Sequence, residues 1–221
     1  MKTSNSESIK NNIRDQLKWD DSVDASHISV EVTNGNVFLQ GDVKSYAEKI
    51  TAARDAFLVP GVKHVENNLK VQFTTKTNQP GDAQINHNVI HALQASSEIK
   101  SNDIEVETNN QIVALFGSVA TLWEKYKAED LANQTTGVLA VINNIEVNLV
   151  KTVEDLDIEK DIKNAYRRSP LIEEEKIAVN VHGGVVRLTG IVANYPTKKE
   201  ALDIATYTKG VVNVTDELAI E

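Results

Sequence analysis

The chain has 221 residues, enough for several small domains, with 41% hydrophobic and 25% charged residues, a composition typical of soluble proteins. It contains no cysteine, which excludes disulfides, thiolate nucleophiles and cysteine metal sites. The formal net charge is −9 and no third of the chain is basic, which argues against binding to nucleic acid and against simple electrostatic adhesion to anionic lipid.

The chain opens with a predicted amphipathic helix. Its apolar residues Ile9, Ile13 and Leu17 are four apart, so they form one stripe along the helix. A predicted hairpin follows, in which apolar and polar residues alternate over 28–33 and 37–43. The Asn34-Gly35 pair between these runs tolerates the positive φ angles of a two-residue turn.

A second helix and a last strand complete the predicted unit. The helix is expected to begin at Ser45, which can form a capping box with Glu48, and to stop at Gly61 in a left-handed conformation. The apolar residues of the last strand are Val65, Leu69 and Val71. The order is therefore helix, strand, strand, helix, strand, with the last strand parallel to the second.

The same pattern occurs three times without gaps inside a unit. The helix stripe recurs as Ile85, Val89 and Leu93 and as Ile158, Ile162 and Tyr166, and the turn recurs as Asn110-Gln111 and Gly183-Gly184. We predict domains at 5–73, 80–149 and 155–221, joined by linkers at about 72–83 and 148–157. The predicted fold class is α+β: three tandem αββαβ two-layer sandwich domains, each a three-stranded mixed sheet covered on one face by two helices.

One glycine recurs in the second strand of each unit, at Gly41, Gly117 and Gly190. It falls on the inward face, in line with valine and leucine, where a side chain would hold off whatever packs there. We interpret it as structural: a helix or a neighbouring strand approaches closely, or the strand bulges.

The stretches HISVEVTNGNVFLQGDV and VPGVKHVENNLKV, with the capped helix between them, resemble the BON domain of bacterial osmotically inducible and nodulation proteins. All three units match, so the resemblance covers nearly the whole chain. It implies a non-enzymatic module that is associated with osmotic and envelope stress and is proposed to bind phospholipid or other partners. The signature glycine of the family corresponds to Gly41, Gly117 and Gly190.

No residue set indicates catalysis, because the sequence has neither a G-x-S-x-G elbow nor a G-x-x-x-x-G-K-[ST] loop. His87 and His91 are four apart, but the equivalent residues of the other units are polar, which places them on a solvated face. We therefore expect no enzyme activity, no cofactor and no metal site. Acidic clusters such as Asp20-Asp21-Asp24 leave weak cation sensing as an alternative.

The open sheet face, opposite the helices, differs among the units. In the middle unit it is expected to carry Ala114, Phe116, Ala140 and Ile142, where the other units carry mostly polar side chains. Burying a phenylalanine or an isoleucine contributes about 1.5–3 kcal/mol. We predict that this face contacts a neighbouring domain, a second copy or a ligand, and packing between the units remains the alternative to binding a partner.

Arg167 and Arg168 end the first helix of the third unit. Cations at this position interact favourably with the helix dipole, and the pair could also contact a phosphate head group. Two function classes therefore remain open: a module that binds phospholipid or an envelope protein, and a scaffold that binds proteins without lipid.

The N-terminal sequence MKTSNSESIKNN has no apolar run, and no window of the chain approaches 18 apolar residues. We therefore expect neither a signal peptide nor a transmembrane segment. The sequence as given predicts a cytoplasmic protein, or a periplasmic one if a signal sequence has been removed, and it leaves the oligomeric state open.

Overall fold

The computed structural model describes residues 2–72, 80–99, 101–148 and 153–221. The predicted domain ends at 73 and 149 and the central parts of both predicted linkers lie outside these residues. The elements of the first repeat are α1 (Lys2–Trp19), β1 (Ile28–Thr33), β2 (Asn36–Val43), α2 (Tyr46–Leu58) and β3 (His64–Val71).

The other two repeats have the same element order. The middle repeat contains α3 (Asp82–Ala95), β4 (Ile104–Asn109), β5 (Ile112–Val119), α4 (Leu122–Asn133), β6 (Ala140–Asn143) and β7 (Glu146–Val147). The third repeat contains α5 (Asp155–Arg168), β8 (Ile177–His182), β9 (Val185–Val192), α6 (Tyr195–Tyr207) and β10 (Asn213–Ile220).

The sheets confirm the predicted mixed topology. In the first repeat β1 pairs antiparallel with β2, and β2 pairs parallel with β3. In the third repeat β8 pairs antiparallel with β9, and β9 pairs parallel with β10. The middle sheet has the order β4-β5-β6, with β7 also paired to β5, so it has four strands instead of the expected three because its last strand is split.

The predicted helix stripes form the cores. Ile9, Ile13 and Leu17 of α1 belong to one buried cluster with residues of β2 and with the small side chains Ala52 and Ala56 of α2. Alanines at these positions let the helix approach the sheet closely. The structure thus confirms tandem α+β folds in which helices cover one sheet face.

The core of the third repeat has a larger residue, Tyr166, where the first repeat has Leu17. Tyr166 is fully buried, and its hydroxyl donates a hydrogen bond of 3.0 Å to the carbonyl of Ala201 in α6. Burial raises the pKa of the Tyr166 phenol above its usual value, so the side chain stays a neutral donor. The cluster also includes Leu122, at the first turn of α4, so the middle repeat contributes to this core.

The contacts divide the chain into two compact units, and the division runs through the middle repeat. One unit holds the first repeat with Thr108–Val113 and Asn133–Val141, and the other holds the third repeat with Ala114–Ala132 and further segments of the middle repeat.

The helix starts follow the predicted capping, but the helix ends do not. Ser45 Oγ accepts a hydrogen bond of 3.1 Å from Glu48 N, as expected of a capping box. The helix stop predicted at Gly61 is wrong, because α2 already ends at Leu58. Val59 is extended, as expected of a residue before proline, and Gly61 (φ +90°) lies in the turn that follows.

Candidate functional site

The recurring glycine of the second strand lies beside the residue that precedes the first strand of its repeat. Gly41 has φ +126°, and a Cβ atom added there would lie 1.9 Å from the carbonyl oxygen of His27, just before β1. Gly117 and Gly190 meet the carbonyls of Asp103 and Lys176 in the same way, at 1.9 and 2.1 Å. Only glycine fits such a position, because both the space and the φ angle exclude a side chain.

This geometry selects among the expected explanations. The parallel register of β2 with β3 continues through Gly41, and the antiparallel register with β1 ends there, at Ile28. The close neighbour is the backbone of His27, the last residue of a short 3-10 helix (Ala25–His27) that leads into β1. The glycines are also less buried than the inward-face interpretation implied: Gly41 and Gly190 are half-buried and Gly117 is exposed. The positive φ angle directs the absent side chain toward the neighbouring backbone instead of the core.

The predicted apolar face is present in the middle repeat. Val113 and Leu115 of β5 are fully buried, so Ala114 and Phe116, which alternate with them, lie on the open face and are half-buried. Ile142 of β6 is 50% exposed.

The neighbouring residue shows which way Ile142 points. Asn143 donates a hydrogen bond of 2.9 Å to the carbonyl of Lys125 in α4, so Asn143 faces the helices and Ile142 faces away. Ala140, the fourth predicted residue of the face, is half-buried and belongs to the other compact unit. We call Ala114, Phe116 and Ile142 the open apolar face.

The third repeat is polar at the same positions. Arg187 and Thr215 stand where the middle repeat has Ala114 and Ile142, and they are partners in the β9–β10 register. Arg187 also forms an ion pair with Glu217, in which Nη1 lies 3.6 Å from Oε1. An apolar open face is therefore a property of the middle repeat and is not required by the fold.

The two predicted arginines lie elsewhere. Arg167 donates two hydrogen bonds to Glu174, from Nε at 2.6 Å and from Nη2 at 2.8 Å. It lines a cleft between α5 and β8 that includes none of the open apolar face. A phosphate head group would have to displace this bidentate carboxylate. Arg168 is exposed.

Two aspartates that the sequence analysis did not identify hold the hairpin turns. Asp155, the first residue of α5, accepts hydrogen bonds from Gly183 N at 2.8 Å and Gly184 N at 2.9 Å, and these bonds lower its pKa. Asp82 accepts from the two amides of the middle turn at 2.9 and 2.8 Å. Their equivalent positions in the sequence could have indicated this role, because each aspartate is the first residue of the first helix of its repeat.

A family model for the BON domain matches the chain three times, at residues 5–72, 81–148 and 154–221. The chain belongs to the BON domain family. Each match contains one αββαβ repeat with its glycine at Gly41, Gly117 or Gly190, so the repeats can be called the first, middle and third BON domains.

Similar proteins include Osmotically-inducible protein Y of Escherichia coli (strain K12), which is 28% identical over 143 residues, covering 62% of this chain and 71% of that protein. Two structures of CdsD, a structural protein of the type III secretion system of Chlamydia trachomatis, cover 96% of this chain at 15% identity and a TM-score of 0.27. The chain covers 91% of the first of these structures and 96% of the second. A TM-score this low does not establish a shared arrangement.

Two further features bear on function. No helix among the described residues combines the length and hydropathy needed to cross a membrane. Within the same residues no three side chains of acidic, histidine or cysteine type are grouped to hold a metal ion. In the acidic cluster weighed for cation sensing, Asp24 is already paired with Lys44 Nζ at 2.6 Å.

Proposed function

We propose that this BON protein is a non-enzymatic binding protein of the osmotic or envelope stress response that engages phospholipid or an envelope partner through its BON domains. The similarity to an osmotically inducible protein supports the link to stress. The open apolar face of the middle domain carries the binding part of the proposal, because Phe116 and Ile142 replace polar residues of the other domains at a surface opposite the helices.

A protein partner without lipid is the second candidate. The chain has a net charge of −9, which repels anionic membranes, and the guanidinium of Arg167 is already bound by Glu174. Both observations favour a scaffold whose open apolar face meets another protein.

Vesicle co-sedimentation separates the two candidates. The full chain is mixed with zwitterionic or anionic phospholipid vesicles at low and at high salt. Binding to either vesicle that persists at high salt supports the phospholipid candidate with the open apolar face as its surface, because salt screens charges and not apolar contacts. Binding that needs anionic lipid and weakens with salt supports the phospholipid candidate through basic side chains instead. If no vesicle binds, the phospholipid candidate is wrong, and the scaffold candidate is then tested by cross-linking and pull-down.

The same experiment localises the surface. The double variant Phe116→Thr/Ile142→Thr introduces the residues that the third domain carries at these positions, so the strands should still form. We expect it to lose most binding, to vesicles or to the captured partner. Gln40→Thr, at the equivalent position of the first domain, is the matched control and should bind as the natural chain does. Equal binding by all three proteins would exclude the open apolar face.

A further inference from the structure

The first BON domain contains a pair of carboxyl groups between its helices. Asp55, in the last turns of α2, is 2% exposed, and its Oδ2 is buried without a hydrogen-bond donor among the described residues. Asp20 lies directly after α1, and its Oδ1 accepts from Ser22 N at 2.9 Å and from Ser22 Oγ at 2.6 Å.

The charged group nearest to both carboxyls compensates them only weakly. Arg54, on α2, approaches Asp20 Oδ2 at 3.8 Å and Asp55 Oδ1 at 3.9 Å, and its side chain is 52% exposed. These contacts are ion-pair distances in partial solvent and not bidentate hydrogen bonds. Because both carboxyls contact the same guanidinium, they lie close together. Two neighbouring carboxylates with one half-exposed cation cannot both ionise without a free-energy cost, so the arrangement favours a single shared proton.

The other two domains lack this pair. The residues equivalent to Asp20 and Asp55 are Ser96 and Leu131 in the middle domain and Ser169 and Ile204 in the third. The BON fold therefore forms with a serine and an aliphatic residue at these positions. Two acids in the first domain are not a requirement of the architecture, and a buried acid is costly unless it is protonated or paired.

We propose that Asp20 and Asp55 form a proton-dependent latch that fastens the loop after α1 to helix α2 in the first BON domain. With the proton present, Asp55 donates a hydrogen bond to Asp20. Without it, the two carboxylates repel each other, and the loop and the end of α1 open away from α2.

The titration of the pair has the direction that a latch requires. Burial, the charge of Asp20 and the hydrogen bond to Asp20 raise the pKa of Asp55 to about 6, and the attraction of Arg54 opposes them. The hydrogen bonds from Ser22 lower the pKa of Asp20, so the shared proton resides on Asp55. A carboxyl whose pKa is raised in the closed state favours that state at low pH, and this preference is lost as pH rises through the raised value.

A neighbouring contact limits the opening to one segment. Glu48, buried in α2, accepts a hydrogen bond of 2.6 Å from Asp24 N, four residues beyond Asp20. Val23, 6% exposed, anchors the loop between these points. The latch therefore controls the end of α1, including Trp19, whose side chain is 80% exposed, and leaves the rest of the domain closed.

Hydrogen exchange of the full chain tests the latch. Amide exchange of residues 16–24 is compared at about pH 5 and about pH 7.5 after correction for the intrinsic rate. The shift of the Asp55 pKa from 3.8 to about 6 corresponds to an opening constant about tenfold larger at the higher pH. The segments around Ser96 and Ser169 are internal controls and should change little.

Two variants identify the group responsible. Asp55→Asn keeps a neutral donor toward Asp20 at every pH, so it should abolish the tenfold change and leave the segment closed. Asp20→Asn removes the repelling charge and should reduce the change. The proposal fails if the natural chain shows no pH dependence in residues 16–24. It also fails if both variants keep the full dependence, or if the control segments open equally.

Discussion

The first and third BON domains place a different polar residue at the same position under the second helix. In the first domain Asn67 accepts a hydrogen bond from Leu69 N at 3.2 Å and donates one of 2.7 Å to the carbonyl of Lys49 in α2. In the third domain Asp216 accepts the equivalent strand bond from Leu218 N at 3.0 Å. A carboxylate has no proton for the helix carbonyl, so a different solution is needed there.

The third domain solves this with a lysine. Lys198 occupies the helix position that corresponds to Lys49, and its Nζ lies 2.8 Å from Asp216 Oδ2 and donates a hydrogen bond of 2.6 Å to the carbonyl of Leu218. The comparison shows that the position requires a complete set of hydrogen bonds and not a particular residue. An amide satisfies it with backbone alone, whereas an acid requires a cation beside it.

The largest expected effect concerns the second-strand glycine that the first and third domains share. Gly41→Ala and Gly190→Ala would each place a Cβ about 2 Å from a backbone carbonyl at a positive φ angle, and backbone cannot move as a side chain can. We expect each to lower the free energy of unfolding of its domain by more than about 2 kcal/mol. Urea unfolding, monitored by hydrogen exchange in each domain, measures this free energy.

A matched glycine controls for the loss of glycine itself. Gly81 precedes α3, and a Cβ added there would meet nothing within 4 Å. Because Gly81 is the N-cap of α3, with Ile85 N donating to its carbonyl, Gly81→Ala should lower the free energy of unfolding by no more than about 1 kcal/mol. Equal effects of Gly81→Ala and Gly41→Ala would contradict the close-approach explanation.

The second prediction exchanges the polar residues that distinguish the two domains. Asn67→Asp puts a carboxylate opposite the Lys49 carbonyl, and we expect a cost of about 1–2 kcal/mol. Asp216→Asn leaves Lys198 without its anion but keeps its bond to Leu218, and partial exposure of the pair limits the cost to about 1 kcal/mol. Thermal unfolding of each variant gives the two values.

A double-mutant cycle sharpens that result. If Lys198 acts through Asp216, Lys198→Met and Asp216→Asn together should cost less than the sum of the single changes. Strict additivity would show that the two side chains stabilise the third domain independently.

The sequence predicted the fold because the repeats share one apolar pattern. The stripe from Ile9 to Leu17 and the Asn34-Gly35 turn specify the helix and the hairpin through local periodicity and φ preference, and three copies made chance agreement improbable. The stop predicted at Gly61 is wrong because the glycine serves the turn after the helix and not its C-cap. The third repeat ends α6 in the same way, with Thr208 extended and Lys209 in place of the proline, so the glycine alone does not mark the last helical residue.

The candidate sites were harder to predict, because they depend on contacts between distant residues. Phe116 and Ile142 were identified from alternation alone, and the structure places both on the open face. The Asp20–Asp55 pair was not found, because it joins the end of α1 to the last turn of α2, two places far apart in the sequence. Asp20 looked like part of a solvated acidic cluster, and no periodic pattern shows which acid meets a second one.

The smallest expected effect concerns the hairpin turns. The third domain clamps its turn with Asp155, whereas Ser6 occupies the equivalent position in the first domain. Asp155→Ser should therefore lower the unfolding midpoint of the third domain, by less than the change at Asp216. Ser6→Asp should raise that of the first domain, since the Asn34-Gly35 amides have the same positive φ geometry.

The pH dependence distinguishes a clamp from a general charge effect. Because the turn amides lower the pKa of Asp155, its contribution is present above the usual carboxyl pKa and is lost as pH falls through the lowered value. The midpoints of the natural chain and of Asp155→Ser should therefore converge in acid and separate toward neutral pH. Ser6→Glu is the control for added charge, because a longer side chain should not reproduce the two-point geometry. If it raises the midpoint as much as Ser6→Asp, the carboxylate acts through charge and the clamp explanation is wrong.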